Sequence, residues 1–420
     1  MNQSSNNTDV VIVGAGIIGI ACAHYLSESG AKVTVIDQNT VGSQCSFGNC
    51  GYICPSHVLP LATPGAISKA LKSMFEPSSA FRVKPQFDMS LIKWFWQFSK
   101  LCKTDVMLET GHHLNNLLVS SKREYTEVIE QLDFDCEWKK NGLLYVAETQ
   151  NGLDDLRAKS ELLAERYGVS SRLISGEELL SFDPALRVGL AGAYHFEDDA
   201  SINPNKLNQQ WYQYLKEKGV EFVEDCSLTG VNKLGNQVSS IETSKGVFKA
   251  DNYVIAAGAW SAKLASELDC KIPIQPGKGY SLTTNNPDIC PEHPMLFPEH
   301  GVGVSPFKDG YRIGSIMEFA GFNTSIPSKR IEQLKASAQR YLVGQSNEEW
   351  KYTWQGWRPM TWDSLPIIGR IPKLHNTFLS TGHNMLGMSL GAVTGKLISE
   401  MIQGVSTHID TQAFSPERFN

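Results

Sequence analysis

The sequence predicts an α/β chain built on two sheets of different kinds, one parallel and covered by helices, the other antiparallel. Three observations carry this. Residues 9–37, "DVVIVGAGIIGIACAHYLSESGAKVTVID", run strand, glycine loop, helix, strand. Residues 246–261, "GVFKADNYVIAAGAWS", give a strand, a turn and a buried strand that closes on Gly258. From residue 272 the pattern changes to short strands, "IPIQPGKGYSLTT" and then "GVGVSPFKDGYRIGSIME", whose Asp-Gly signals a hairpin.

Each element follows in order. Residues 9–13 are a short β-branched run, a buried strand by pattern. Gly14, Gly16 and Gly19 then spell G-x-G-x-x-G. Gly14 permits a tight turn, Gly16 lets the backbone approach a pyrophosphate, and Gly19 lets helix and strand pack closely. The helix carries Ala21–Ser29 and stops at Gly30. Its N-terminus offers free N–H groups and a positive dipole end to phosphates. The second strand ends on Asp37, placed to accept from ribose hydroxyls. Together these make a Rossmann-like dinucleotide site. The motif alone does not separate FAD from NAD.

"SQCSFGNCGYICPSH" (43–57) follows, where Ser46, Asn49 and the glycines at 48 and 51 offer hydroxyl, amide and backbone contacts. Helical spacing covers 112–132, 152–167 and 205–218, and "NGLLYVAE" (141–148) reads as a strand. A short helix is expected within 175–186, with Ser175 as N-cap and Pro184 as its stop. Residues 376–404 read as strand, glycine loop and helix. The glycines at 382, 387, 391 and 395 are expected to bring backbone close to whatever the helix N-terminus faces, or to serve packing.

Composition limits the function. A length of 420 residues allows two or three domains, and 41% hydrophobic with 20% charged residues is an ordinary globular balance. Net charge is −6 with basic residues scattered, which argues against nucleic acid. Nine cysteines form no disulfide framework. Cys45, Cys50 and Cys54 lack a C-x-x-C pair, so no metal is expected. Reduced thiols and the lack of an apolar leader point to the cytoplasm. "LIKWFWQFSKLC" (91–102) has two readings, a peripheral contact with the inner membrane or a buried helix.

"WQGWRPMTWDSLPIIGR" (354–370) sets Arg358 among Trp354, Trp357 and Trp362. Such an arginine needs an anionic partner or an exit to water, and its planar fork pairs bidentately with a carboxylate. A structural pair with Asp363 or Glu318 is the alternative.

In order, the fingerprint, "SFGNCGYI", "YVIAAGAWS", "KGYSLT", "EFAGFNT", "GWRPMTWDSLPIIGR" and "STGHNMLG" resemble the FAD-dependent oxidoreductases of the D-amino acid oxidase superfamily, most of all its bacterial D-amino acid dehydrogenase branch. The resemblance runs through nearly the whole chain. It implies an FAD-binding domain from 1–85, 150–186, 201–265 and 355–420, and a substrate domain from 86–149, 187–200 and 266–354. It implies FAD contacts at Gly14, Gly16, Ile17, Ile18, Gly19, Asp37, Gln38, Ser46, Asn49, Gly51, Ala257 and Gly258. Further contacts fall at Gly382, His383, Met385, Leu386 and Gly387. Arg358 matches the substrate-carboxylate arginine. It also stands where some relatives carry a flavin-linking cysteine, which implies noncovalent FAD.

Phe307 stands where oxidase-type relatives place a carboxylate-binding tyrosine, leaving Tyr280 or Tyr52 as substitutes and Lys278 as a further candidate near the flavin. His57 and His383 are polar contacts or plain loop histidines. The implied reaction is hydride transfer from an amino acid Cα to flavin N5, giving a 2-oxo acid and ammonia. Electrons pass to a quinone or respiratory chain, else to oxygen. Oxidation of a secondary amine, or a non-catalytic electron-transfer role, are the alternatives.

Overall fold

The computed structural model describes residues 8–74, 79–84, 87–285, 288–344 and 349–420. The strand Asp9–Val13 sits in the middle of a six-stranded sheet, flanked in parallel by Lys32–Ile36 and Asn252–Ile255. Glu221–Val223 extends one side. Leu374–Thr381 and an antiparallel edge strand, Ile367–Ile371, extend the other. The apolar runs Val10–Val13 and Val33–Ile36 are covered on both faces, as a parallel sheet requires.

The helix Ile17–Glu28 crosses the C-terminal helix Gly391–Gln403 closely. A Cβ on Gly395 would stand 2.5 Å from the Ala21 carbonyl oxygen. Glycine there serves helix packing.

The second sheet runs, from one edge, through Trp350–Thr361, Ile274–Thr284, Gly310–Phe319, Val302–Phe307, Met295–Phe297, Leu143–Ala147, Gly192–Phe196 and Arg172–Ser175, mostly antiparallel. Phe81–Val83 adds a short parallel pairing to Gly310–Phe319. The expected hairpin is present, with Lys308 and Asp309 as its turn and Gly310 opening the return strand. The strand Trp350–Thr361 carries no alternation and was not anticipated. As an edge strand it tolerates Pro359.

Two placements differ from the expected division of the chain. The 28-residue helix Thr104–Gln131 packs with the nucleotide-side helices, although 86–149 was assigned to the substrate side. There the Tyr125 hydroxyl donates to the Met388 carbonyl (2.7 Å) and Lys396 pairs with Glu124 (2.7 Å). Arg172–Ser175 joins the large sheet, although 150–186 was assigned to the nucleotide side. The resemblance implied this division, and periodicity alone reports element type and not packing partner. Ser175 closes that strand, and the short helix, Leu179–Phe182, begins after Glu178. Ser175 and Glu178 still exchange side-chain-to-backbone hydrogen bonds in the manner of a capping box.

The aromatic segment 91–102 forms the helix Met89–Leu101. Its inner face buries Leu91, Trp94 and Phe98, and the Trp94 indole donates to the Met360 carbonyl (3.1 Å). Its outer face exposes Met89, Ile92 and Trp96. Among the described residues no helix is long and apolar enough to cross a membrane. No group of three or more His, Cys, Asp or Glu among them is placed to hold a metal.

Candidate active site

Residues of both sheets line a cavity of about 560 Å³. The C-terminal ends of the parallel strands supply one wall through Gly14, Asp37, Gln38, Ala257, Gly258 and Thr381. This is where an open α/β sheet presents loops and helix N-termini to a ligand.

The three fingerprint glycines do different work. Gly14 has φ +112, and a Cβ there would stand 2.5 Å from the Ala256 carbonyl oxygen. Gly16 precedes the first helix with no side-chain cap. Nothing lies nearer to its missing Cβ than Ser46 Oγ at 3.5 Å, so it lies open to the cavity beside Ile17 and Ile18. Gly19 is off the wall. A Cβ there would collide with the Gly14 carbonyl at 1.8 Å, so its role is packing.

Asp37 accepts from the Ala15 N–H (2.7 Å) and the Asn39 N–H (2.8 Å). Burial pushes its pKa above the usual carboxylate value, and those two donors oppose the shift. Ser46 Oγ accepts from the Ile17 N–H (3.0 Å), tying the 43–50 loop to the helix start. Ser46 and Asn49 line the cavity.

Arg312 fixes this loop. Its buried guanidinium donates to the Phe47 and Asn49 carbonyls (2.8 and 2.6 Å) and to Thr283 Oγ1 (2.9 Å). Sequence reasoning missed it, because nothing local to Arg312 points to a loop some 260 residues away.

Gly51 departs from expectation and does not line the cavity. It turns the chain at φ +75, pressed against the Ile202 carbonyl. Gly382 is likewise off the wall, wedged at φ +72 against Thr361 and Ile367. His383, Met385, Leu386 and Gly387 line the cavity. Of the four C-terminal glycines, only Gly387 reaches it. Gly391 packs on Tyr125 and Ile17. His383 is buried, shares a hydrogen bond with Thr394 (3.0 Å), and is pushed down to about 3 by burial, which keeps it neutral.

On the opposite wall, Arg358 lies across the neighbouring strand. A Cβ on Gly279 would overlap its guanidinium at 2.2 Å, so Gly279 makes the space. The guanidinium donates to the Ile316 carbonyl (2.9 Å). Neither candidate structural acid reaches it. Glu318 accepts from the Tyr280 hydroxyl (2.7 Å), and Asp363 pairs with Arg418 (2.7 Å). Among the described residues Arg358 has no ion-pair partner. Burial lowers its proton affinity. Burial pushes the adjacent Cys45 thiol up to about 11, so that thiol adds no charge and donates to the Trp357 carbonyl (2.8 Å).

Trp354, Trp357 and Trp260 supply apolar surface on this wall. Trp362 does not, since it packs on Phe419. Tyr52 and Tyr280 line the cavity, but their hydroxyl hydrogens are already committed. Tyr52 donates to the Met295 and Val304 carbonyls (2.8 and 2.9 Å), and Tyr280 to Glu318. Both offer acceptor lone pairs and no free donor to a carboxylate. Lys278 is off the wall, buried and bonded to the Ser325 carbonyl.

The residues fit a flavin dinucleotide. The open helix N-terminus at Gly16 suits a pyrophosphate and Asp37 suits a ribose. On the same cavity, a buried Glu267 carboxylate oxygen has no partner and can accept from a ligand N–H or O–H.

A family model described as FAD dependent oxidoreductase matches residues 9–401. The chain belongs to the FAD-dependent oxidoreductase family. Its cofactor is FAD, and the oxidoreductase expectation holds. Two D-amino acid dehydrogenases are similar to it through nearly their whole length. The one from Neisseria gonorrhoeae (strain NCCP11945) is 30% identical over 416 residues, covering 98% of this chain and 99% of the relative. The one from Neisseria meningitidis serogroup C (strain FAM18) is 31% identical over the same coverage. Among solved structures, glycine oxidase from Geobacillus kaustophilus superposes with TM-score 0.79 at 21% identity, over 97% of this chain and 98% of that one. L-proline dehydrogenase from P. horikoshii gives 0.77 at 20%, over 98% of both chains. These two likenesses confirm the fold of a family flavoenzyme.

Proposed function

We propose that this flavoenzyme oxidises a free amino acid, a D-amino acid first among them, to the 2-oxo acid and ammonia. The carrying observation is Arg358, a half-buried guanidinium on the cavity wall that no carboxylate among the described residues pairs with. The names of its curated relatives agree with this reading. Arg358 holds the substrate carboxylate, and Trp354 and Trp357 strip water from the pair, which strengthens it. FAD, when bound, supplies the hydride acceptor. Among the described residues the wall around Arg358 carries no carboxylate pair, so the protein's share is positioning and desolvation more than acid–base chemistry.

Anaerobic mixing with D-, L- and N-alkyl amino acids tests this. A D-amino acid is expected to bleach the flavin fastest. Fastest bleaching by proline or sarcosine would favour a secondary amine, and no bleaching by any amino acid would end the catalytic reading.

For the acceptor we favour a membrane quinone. The exposed face of the helix Met89–Leu101 carries Met89, Ile92 and Trp96, with the Lys100 ammonium 3.0 Å from the Trp96 ring centroid. Apolar anchors beside a lysine suit a headgroup layer. The protein is expected to float with anionic lipid vesicles, and a Trp96→Ser, Ile92→Ser double variant to stay behind. Equal flotation of both would exclude this face.

A further inference from the structure

A chain of buried polar groups leads away from the cavity, and nothing in the reading above uses it. His57 lines the cavity. His57 Nδ1 lies 3.1 Å from the Tyr145 hydroxyl, and that hydroxyl lies 3.3 Å from Ser56 Oγ. Ser56 Oγ donates to Asp199 Oδ2 at 2.5 Å, and the Ser56 N–H donates to Asp199 Oδ1 at 3.0 Å. Asp199 is 1% exposed.

The hydrogens can be ordered in one direction. His57 Nδ1–H donates to Tyr145, Tyr145 to Ser56, and Ser56 to the carboxylate. Each hydroxyl then both accepts and donates. Three elements distant in sequence contribute: the loop at 56–57, the strand Leu143–Ala147 and the turn before Ala200–Ser201. The serine–aspartate pair alone would satisfy the local backbone. The tyrosine and histidine extend it to the cavity.

The charges around this chain are few. Lys159 is a half-exposed residue that sets its ammonium 4.4 Å from the Tyr145 ring, where burial lowers its pKa to about 8. Lys122 and the Cys54 thiol also act on Asp199 and its neighbours. We propose that His57, Tyr145, Ser56 and Asp199 form a proton relay between the substrate cavity and the exterior at Lys159. This rests on the amino acid oxidation proposed above.

The chemistry needs such a path. An amino acid enters as the ammonium zwitterion and leaves as an iminium zwitterion. In doing so it gives up one hydride from Cα and one proton from nitrogen. The hydride leaves with the cofactor chemistry, and the proton remains in a cavity shielded by tryptophans. When a quinone-type acceptor later departs with two electrons and two protons, one proton must return. The relay carries one proton out and one in per turnover. Burial raises Asp199 to about 7, so both its forms are accessible near neutrality. Burial and Lys159 lower His57 to about 3, so it passes a proton without trapping it.

The test uses the FAD-loaded enzyme, anaerobic and weakly buffered, with a pH-indicator dye and an amino acid that bleaches the parent. In the parent, one proton is expected in solution in step with bleaching. In Asp199→Asn and Tyr145→Phe, proton release is expected to lag bleaching by about a hundredfold, the lower range of a lost acid–base step. Imidazole should shorten the lag in Asp199→Asn. Tyr145→Phe loses one hydroxyl and keeps its ring packing, so it carries the test if the aspartate variant does not fold. Proton release in step with bleaching in the folded variants would overturn the relay. A lag that imidazole leaves unchanged, accompanied by an altered flavin spectrum, would show a structural role instead. A parent that no amino acid bleaches removes the underlying reading and the relay with it.

Discussion

Replacing Arg358 by alanine is expected to lower kcat/KM for amino acid oxidation steeply while FAD loading and melting temperature stay close to the parent's. Truncating one partner of a desolvated charge pair costs roughly 2–5 kcal/mol, about thirty-fold to several thousand-fold. The loss is expected to reach binding and turnover together, because an unanchored substrate also presents its Cα badly. The fold should tolerate the change, since among the described residues this guanidinium makes no ion pair and donates to the Ile316 carbonyl. Lysine at 358 should recover only part of the activity, because an ammonium lacks the planar fork. Steady-state kinetics with a bleaching substrate decide it. Unchanged kcat/KM in Arg358→Ala would leave this arginine without a substrate role.

The second large effect falls on cofactor loading. Gly16→Ala is expected to fold normally yet hold FAD roughly ten- to hundred-fold more weakly, the worth of one lost hydrogen bond to a charged group at about 1.5–3 kcal/mol. The backbone at Gly16 has φ −74, which alanine adopts freely, and its Cβ would meet only Ser46 Oγ at 3.5 Å. The methyl would stand where the backbone is open to the cavity. Flavin released per chain on acid precipitation measures the effect and tests noncovalent attachment in the parent at the same time. Gly14→Ala and Gly19→Ala make useful contrasts. Their methyls meet backbone at 2.5 and 1.8 Å, so they are expected to damage folding itself. If Gly16→Ala binds FAD as the parent does, this backbone is not the point of phosphate approach.

How much was legible in the sequence depended on distance along the chain. The nucleotide half was readable because strand, glycine turn, helix and acid follow one another within 29 residues, 9–37, and each has a local physical signature. The Lys308–Asp309 hairpin was readable for the same reason. The strand holding Arg358 was not, since it is an edge strand of aromatics and proline without alternation. The space that Gly279 makes for Arg358 depends on strand register, which composition does not encode. Gly51 and Gly382 looked like cofactor glycines because a glycine held for its turn reads the same as one held for a ligand. The commitment of the Tyr52 and Tyr280 hydroxyls depends on Met295, Val304 and Glu318, between 38 and 252 residues away.

The strand order of the nucleotide sheet has a consequence for biosynthesis. The strand Asp9–Val13 needs Asn252–Ile255 on one side, more than 200 residues later, and that strand in turn needs Leu374–Thr381. The cavity also draws on residues up to Ser389, and the helix behind it ends at Gln403. The flavin site is therefore incomplete until the helix Gly391–Gln403 has been translated. A nascent chain must carry its apolar first strand and helix unpaired for most of its synthesis, a state prone to aggregation and dependent on slow, non-local closure. FAD captured once the helix Gly391–Gln403 is in place would act as the ligand that draws the finished fold out of that ensemble.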